Sequence, residues 1–321
     1  MRWGDKPYHA LDFEMKRRFG EKVYRLALNG GMTCPNRDGT VGRGGCIFCS
    51  AGGSGDFAAP ASLSIPEQLR QQKAGIRQKR PVRKFIAYFQ AYTNTYAPVE
   101  YLERIFTEAI LDPEVVVLSI ATRPDCLGDD VLALLARLNR IKPVWVELGL
   151  QTIHEDTARF IRRGYPLSCF DRAVHALRRC GIEVIVHVIL GLPHETAEQM
   201  LQTCIYLNHM DIQGIKLQML HILKGTDLAL YYEQQAARDA FSVLGRDAYV
   251  DLVIRCVEQL SPDIVIHRLT GDGPAELLIA PAWSAQKRTV LNQLHAELKR
   301  RDAWQGKYFA GVSHAGDCMQ S

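Results

Sequence analysis

Cys34, Cys46 and Cys49 are the residues of this chain whose type and spacing most directly suggest chemistry. They lie in one Gly-rich segment, Asn29-Gly30-Gly31-Met32-Thr33-Cys34-Pro35-Asn36-Arg37-Asp38-Gly39-Thr40-Val41-Gly42-Arg43-Gly44-Gly45-Cys46-Ile47-Phe48-Cys49, with the spacing C-x11-C-x2-C. Thiolates bind metals, and glycines let a backbone bend tightly and turn its N–H groups towards sulfur. Three thiolates from one loop can reach around a cubic iron–sulfur cluster and leave one iron without a protein ligand. A structural zinc ion would need a fourth ligand from a distant His or Cys. Three unrelated buried thiols fit poorly, because a Gly-rich loop does not bury cysteines by packing. A [4Fe–4S] cluster is therefore favoured over zinc, and either metal over none.

The elements that must position this loop follow from hydrophobic pattern. Short apolar or β-branched runs at residues 23–28, 85–89, 115–120, 144–150, 184–190 and 215–220 alternate with segments of helical period at 65–80, 99–111, 129–139, 155–163, 168–180 and 195–210. Nearly continuous apolar strands joined by helices predict a parallel sheet covered on both faces. The expected fold class is α/β, a partial (β/α)6 TIM-like barrel with N- and C-terminal extensions. Its expected divisions are residues 1–20, an extension; 21–225, the barrel core; and 226–321, a helical and strand extension closing the barrel. In that last part, helices at 243–260 and 284–301 flank a strand ending in Thr270-Gly271-Asp272-Gly273-Pro274, and the tail from residue 310 is expected to fray. Within the strands, Glu147 and Gln151 share one parity, as do Glu183 and His187, and Lys216 and Gln218. Helices outside the sheet require apolar partners, so these polar groups should face a common lumen, a binding cavity whose chemistry sits at the carboxyl ends of the strands.

Composition narrows the class. With 321 residues, 47% hydrophobic and 23% charged, the chain is neither disordered nor fibrous. No basic segment followed by an apolar stretch opens it, and no run of about 18 apolar residues occurs, so a soluble cytoplasmic protein without membrane contact is expected. Nine cysteines, an odd number, suit a reducing compartment. Cys126, Cys169, Cys180, Cys204 and Cys256 have apolar neighbours and are expected in the core, whereas Cys318 lies on the tail. The net charge of +4 is small but uneven. Residues 69–84 hold seven basic side chains and no acidic one, with Arg70, Lys73, Arg77 and Arg80 at helical spacing. That face is either simply solvated or a contact for a phosphate backbone. Arg268 could grip a carboxylate or phosphate, and Trp283, with Lys287 and Arg288 nearby, could stack on a base; a surface Arg and a core Trp are the plainer alternatives.

The cysteine loop after the first strand of a six-fold βα array resembles the radical S-adenosylmethionine (SAM) enzymes, although their commonest spacing is C-x3-C-x2-C. The longer first gap is similar to that of the catalytic subunit of Elongator, which modifies wobble uridine in tRNA. Ala121-Thr122-Arg123-Pro124-Asp125, Val146-Glu147-Leu148-Gly149-Leu150-Gln151-Thr152 and Gly225-Thr226 resemble it too. Cys34-Pro35-Asn36-Arg37-Asp38-Gly39-Thr40, the stretch Tyr88-Phe89-Gln90-Ala91-Tyr92-Thr93-Asn94-Thr95-Tyr96 and His267-Arg268-Leu269-Thr270-Gly271-Asp272-Gly273 resemble one bacterial subfamily. That subfamily includes an enzyme converting 5-carboxymethylaminomethyl-uridine at the tRNA wobble position to 5-aminomethyl-uridine. The resemblance spans roughly residues 10–300.

The resemblance implies a [4Fe–4S] cluster on Cys34, Cys46 and Cys49, and reductive cleavage of SAM to a 5'-deoxyadenosyl radical. It implies tRNA as a partner and a reducing electron donor such as flavodoxin or ferredoxin. The family's Gly-Gly-Glu-like turn after the second strand is replaced by Phe89-Gln90-Ala91, so Gln90, Thr93 and Asn94 are expected to receive the cofactor's ammonium. Glu147 is expected at the ribose hydroxyls or ammonium, and Arg123 or His187 at the carboxylate or adenosyl moiety. Gly191-Leu192-Pro193 resembles the turn beneath adenine, and Leu220-His221 lies where backbone groups read its edge. Each lumen residue could equally be satisfied within the protein. Arg70, Lys73, Arg77, Arg268, Trp283 and Lys287 are the substrate-side candidates. An acetyltransferase domain, and with it acetyl-CoA-dependent carboxymethylation, is not expected. The alternatives are radical chemistry on a small metabolite or protein, and a zinc-bearing RNA-binding module without catalysis.

Overall fold

The computed structural model describes residues 3–53, 55, 57–236, 241–271 and 273–311. Asp272, Cys318 and the tail beyond residue 311 lie outside the described residues. The chain runs α1 (Leu11–Phe19), β1 (Tyr24–Leu28), α2 (Pro35–Asp38), α3 (Ile65–Arg77), β2 (Phe85–Phe89), α4 (Val99–Ile110) and β3 (Val115–Thr122). It continues with α5 (Asp129–Asn139), β4 (Val144–Gln151), α6 (Glu155–Phe160), α7 (Leu167–Arg179), β5 (Glu183–Leu190), α8 (Ala197–Leu207) and β6 (Gly214–Met219). It ends with β7 (Ile222–Leu223), α9 (Asp227–Ala236), α10 (Arg246–Gln259), β8 (Val265–Arg268), β9 (Leu278–Ala280) and α11 (Lys287–Arg300).

Seven strands pair in parallel in the order β1-β2-β3-β4-β5-β6-β8, and the sheet curls into a half-barrel. The fold is thus the partial TIM-like barrel expected, with β8 as a seventh strand. β7 and β9 form a separate antiparallel ribbon. One face of the sheet, through residues such as Leu118, Val146 and Val186, packs against Phe106, Leu134 and Val174 of the surrounding helices. The other face gathers Ile86, Val117, Trp145 and Ile185 around Met15 of α1, which plugs the lumen from below. Burying each such side chain contributes roughly 1.5–3 kcal/mol, and burial on both faces explains why the strands are nearly unbroken apolar runs.

The hydrophobic period does not mark α1. Its nine residues carry Asp12 and Glu14 in the first turn and Lys16, Arg17 and Arg18 in the last, the arrangement that complements the helix dipole. Arg18 then reaches across to Glu183 at the start of β5, 2.5 Å away. α6 ends at Phe160, short of the expected residue 163, where Arg162 adopts a left-handed backbone (φ 56°). α8 starts at Ala197, where Thr196 and Gln199 form a reciprocal capping box worth about 1 kcal/mol. Among the described residues, no helix is long and apolar enough to cross a membrane.

Candidate active site

The loop leaving β1 is shaped by its own side chains. Cys34 caps α2, its carbonyl accepting from the N–H groups of Arg37 (2.8 Å) and Asp38 (3.2 Å). Asn36 is buried and its amide donates to the Arg162 carbonyl (2.6 Å) and towards Cys46 Sγ (3.5 Å). Gly42 is required beside it, because a Cβ there would stand 2.4 Å from Asn36 Oδ1. Arg37 folds back to donate to the carbonyls of Cys49 (2.9 Å) and Ser50 (2.5 Å). Ile47, between the second and third cysteines, is held at both ends: its N–H donates to Ile161 (3.2 Å), and its carbonyl accepts from Leu228 at the start of α9 (2.9 Å).

The three thiols are half-buried, and none is joined in a disulfide. Burial, then the nearby Cys49, push the Cys46 thiol up to about 12, with Cys34 adding to the effect and Arg123 opposing it. Neighbouring thiolates that resist one another's ionisation fit a group that supplies positive charge between them. Among the described residues, no three His, Cys, Asp or Glu side chains converge on a point suited to a single metal ion. A tetrahedral zinc would need its sulfurs roughly 3.8 Å apart, given Zn–S bonds near 2.3 Å, whereas a cluster spreads its thiolates over separate irons. Three thiols from one loop are the donor set of a cluster that keeps one iron free of protein ligands.

Beside the loop, the chain leaving β2 turns through two consecutive left-handed residues, Ala91 (φ 80°) and Tyr92 (φ 58°), so this stretch keeps a glycine-like backbone without glycine. The turn brings Thr93 against the cysteine loop, its N–H donating to Thr33 (3.2 Å), and ties Asn94 to the Ala121 carbonyl through its backbone (3.1 Å) and its amide (2.8 Å). Thr93 Oγ1, Asn94 Oδ1 and Ser50 Oγ are buried without a hydrogen-bond partner among the described residues. Orphaned oxygens of this kind are rare and suit a bound donor such as an ammonium.

Inside the half-barrel a cavity of about 210 Å³ opens towards this turn, lined among others by Gln90, Gln151, His187, Gln218, Leu220 and Arg268. Of the expected cofactor residues, Gln90, His187 and Leu220 face it, and Thr93 and Asn94 adjoin the loop. Glu147 is engaged within the protein. It is 1% exposed and its carboxylate accepts from Lys216, from Ser119 (2.9 Å) and from His187 Nε2 (2.7 Å), with Arg25 3.5 Å away. Burial alone would raise its pKa, but Lys216 and Arg25 outweigh that and hold the carboxyl well below the usual range. Burial, then Lys216, push His187 down to about 4, so it is neutral, and its Nδ1 accepts from Gln218 (3.1 Å). Glu147 is thus the counter-charge of a buried cluster that orients His187 and Lys216. Arg123 is likewise engaged: it forks onto Asp125 (2.7 and 2.9 Å), donates to the Arg163 carbonyl (2.9 Å) and stacks on Tyr165, so it can act on the thiols through its charge alone.

The substrate candidates scatter. Lys73 is only 7% exposed and grips Asp112 (2.5 Å) and Glu114 (3.0 Å), while Arg77 pairs with Glu114, so the basic stretch is largely neutralised there; Arg70 stays exposed on the same helix. Trp283 donates to the Leu244 carbonyl (3.2 Å) and packs against Tyr249, in line with the plainer alternative of a packed Trp. Arg268 lines the lumen cavity, and Lys287 lies on the flank of the same end of the chain. Sequence reasoning misses two residues. Phe57, 59% exposed, stands at the cavity wall, but in sequence it is a lone aromatic in a Gly/Ala loop. Ser50 offers one signal, its position directly after Cys49.

Known proteins share this arrangement. Residues 34–207 match the model of the Radical SAM superfamily, and residues 212–300 match that of the Radical_SAM C-terminal domain. The chain is 47% identical to YtqA of Bacillus subtilis over 305 residues, covering 95% of this chain and 94% of that protein. It is 37% identical to YhcC of Escherichia coli, covering 88% and 89%. Human Elongator complex protein 3 is 26% identical over 189 residues, 58% of this chain and 32% of that one. The structure of Elp3 from the archaeon Methanocaldococcus infernus superposes with a TM-score of 0.65 at 15% identity, covering 88% of this chain and 64% of that one.

Proposed function

We infer the function of this chain from one premise, its membership of the radical SAM superfamily, whose cofactors are a [4Fe–4S] cluster and SAM, and we propose that it acts on the side chain of a modified wobble uridine in tRNA. A bound cluster and SAM would supply radical chemistry for taking hydrogen from the substrate. Cys34, Cys46 and Cys49 would hold the cluster, and Thr93, Asn94 and Ser50 would receive the ammonium of SAM on their orphaned oxygens.

One observation carries the choice of substrate. Among the described residues lining the lumen cavity none is acidic, while Lys216 and Arg268 both face it. Such a cavity suits a substrate with an anionic arm, and 5-carboxymethylaminomethyl-uridine, converted to 5-aminomethyl-uridine, carries a carboxylate. Lys216 is fixed by Glu147 and Tyr88, which already compensate its charge, so Arg268 is the side chain placed to meet that carboxylate. Phe57 offers an exposed ring to a base splayed from a single-stranded loop. Similarity to Elongator complex protein 3 supports the same substrate class. The proposal includes a small reduced electron-transfer protein, such as flavodoxin or ferredoxin, meeting the half-exposed cysteine loop.

The test is anaerobic: protein loaded with iron and sulfide, reduced with dithionite and given SAM, is assayed for 5'-deoxyadenosine with and without tRNA, and the tRNA nucleosides are read by mass spectrometry. Product stimulated by tRNA and abolished by Cys46→Ala is expected. Formation indifferent to tRNA would move the substrate to a small metabolite or a protein.

A further inference from the structure

The half-barrel has a seam. β1 and β8 are the end strands of the sheet, and what lies along the free edge of β8 is the N-terminal segment, where Ile266 N–H donates to the His9 carbonyl (2.7 Å). A cleft of about 360 Å³ follows this seam, and its charge is one-sided. Lys6, Lys22, Arg25, Arg268 and Lys287 line it, against a single acidic residue, Asp12, among the described lining residues. Asp12 is shared by Lys16 (2.8 Å) and Lys22 (3.7 Å), both at least half exposed along their side chains, so these pairs are screened and weak. Arg25 leans inward on Glu147, so its charge is partly spent. The cations come from the N-terminal segment, the approach to β1, β1 itself, the end of β8 and the start of α11, and only the fold brings them together. Arg268 lines this cleft and the lumen cavity alike, so the two spaces meet at one guanidinium.

We propose that this seam is the phosphate track of the enzyme, holding the phosphodiesters of single-stranded RNA next to the nucleotide whose base enters the lumen. The inference rests on the assignment of an RNA substrate. Multivalent cations along a groove are what a polyanion requires, and each phosphate neutralised releases counterions. The seam, rather than α3, is the basic surface adjoining the lumen, because Arg268 lines both spaces.

The test is equilibrium binding of a fluorescent anticodon stem-loop RNA to the cluster-loaded protein across a series of KCl concentrations. Lys6→Ala with Lys22→Ala is expected to weaken binding several-fold at low salt and to lower the slope of log K against log salt by about 1 for each phosphate no longer neutralised. Lys79→Ala with Arg80→Ala on the α3 side should leave both unchanged. Because Lys22 is exposed, Lys22→Glu alone provides a second variant that keeps the fold, and, changing the charge by the same two units, it should weaken binding comparably. Wild-type affinity and slope in the seam variants would overturn the phosphate track while leaving an RNA substrate standing. A wild-type protein that ignores RNA at low salt would overturn the substrate assignment and the track with it.

Discussion

At the base of the lumen cavity Glu147 has both oxygens engaged by Lys216, His187 and Ser119, whereas at the mouth Thr93 Oγ1, Asn94 Oδ1 and Ser50 Oγ have no partner among the described residues. Both sets are buried away from bulk solvent. The protein has completed the first network by itself and left the second for something that arrives. The base therefore serves the fold, and the mouth serves binding.

The contrast is broken most directly at Glu147. Glu147→Ala leaves Lys216 and Arg25 buried without their counter-charge, and a loss of about 3–5 kcal/mol in urea unfolding of the cluster-free protein is expected. A loss under about 1 kcal/mol would show that the base tolerates orphans as the mouth does. Thr93→Val tests the other end with an isosteric change that removes only the orphaned hydroxyl. The cluster-free protein should keep its stability or gain slightly, while SAM binding to the loaded protein weakens about tenfold, as expected when one hydrogen bond to a charged group is removed. Equal SAM affinity would remove Thr93 from the cofactor site.

A further effect is expected in the pH dependence at the junction of the two regions. His187 titrates near 4 when folded, against 6.5 in an unfolded chain. Between those values the unfolded state binds the extra proton, so its contribution is intact above about 6.5, falls as pH drops towards 4, and levels off below. Comparing stability at the two ends of that window, His187→Gln should flatten the pH profile by on the order of 2 kcal/mol. An unchanged profile would place the acid sensitivity elsewhere.

Strands and cysteine loop are legible in the sequence because each is a local pattern: apolar runs mark a sheet covered twice, and three thiols among glycines mark a metal loop. The partners of Glu147 are hidden from the sequence because Arg25, His187 and Lys216 stand on three other strands, and parity alone says only that it faces inward. The pairing of Lys73 and Arg77 on α3 is hidden for the same reason, since Asp112 and Glu114 come after α4. α9 and the β7–β9 ribbon escape notice because a ten-residue helix and a two-residue strand carry little periodicity.

The hold on Ile47 has a consequence in the order of synthesis. One clamp comes from Ile161 and the other from Leu228, more than a hundred residues after the first cysteine. A chain still emerging from the ribosome exposes Cys34, Cys46 and Cys49 long before residue 228 exists to fasten the loop around them. The loop is thus clamped at both ends of Ile47 only once residue 228 has been made, with all three cysteines already in the chain.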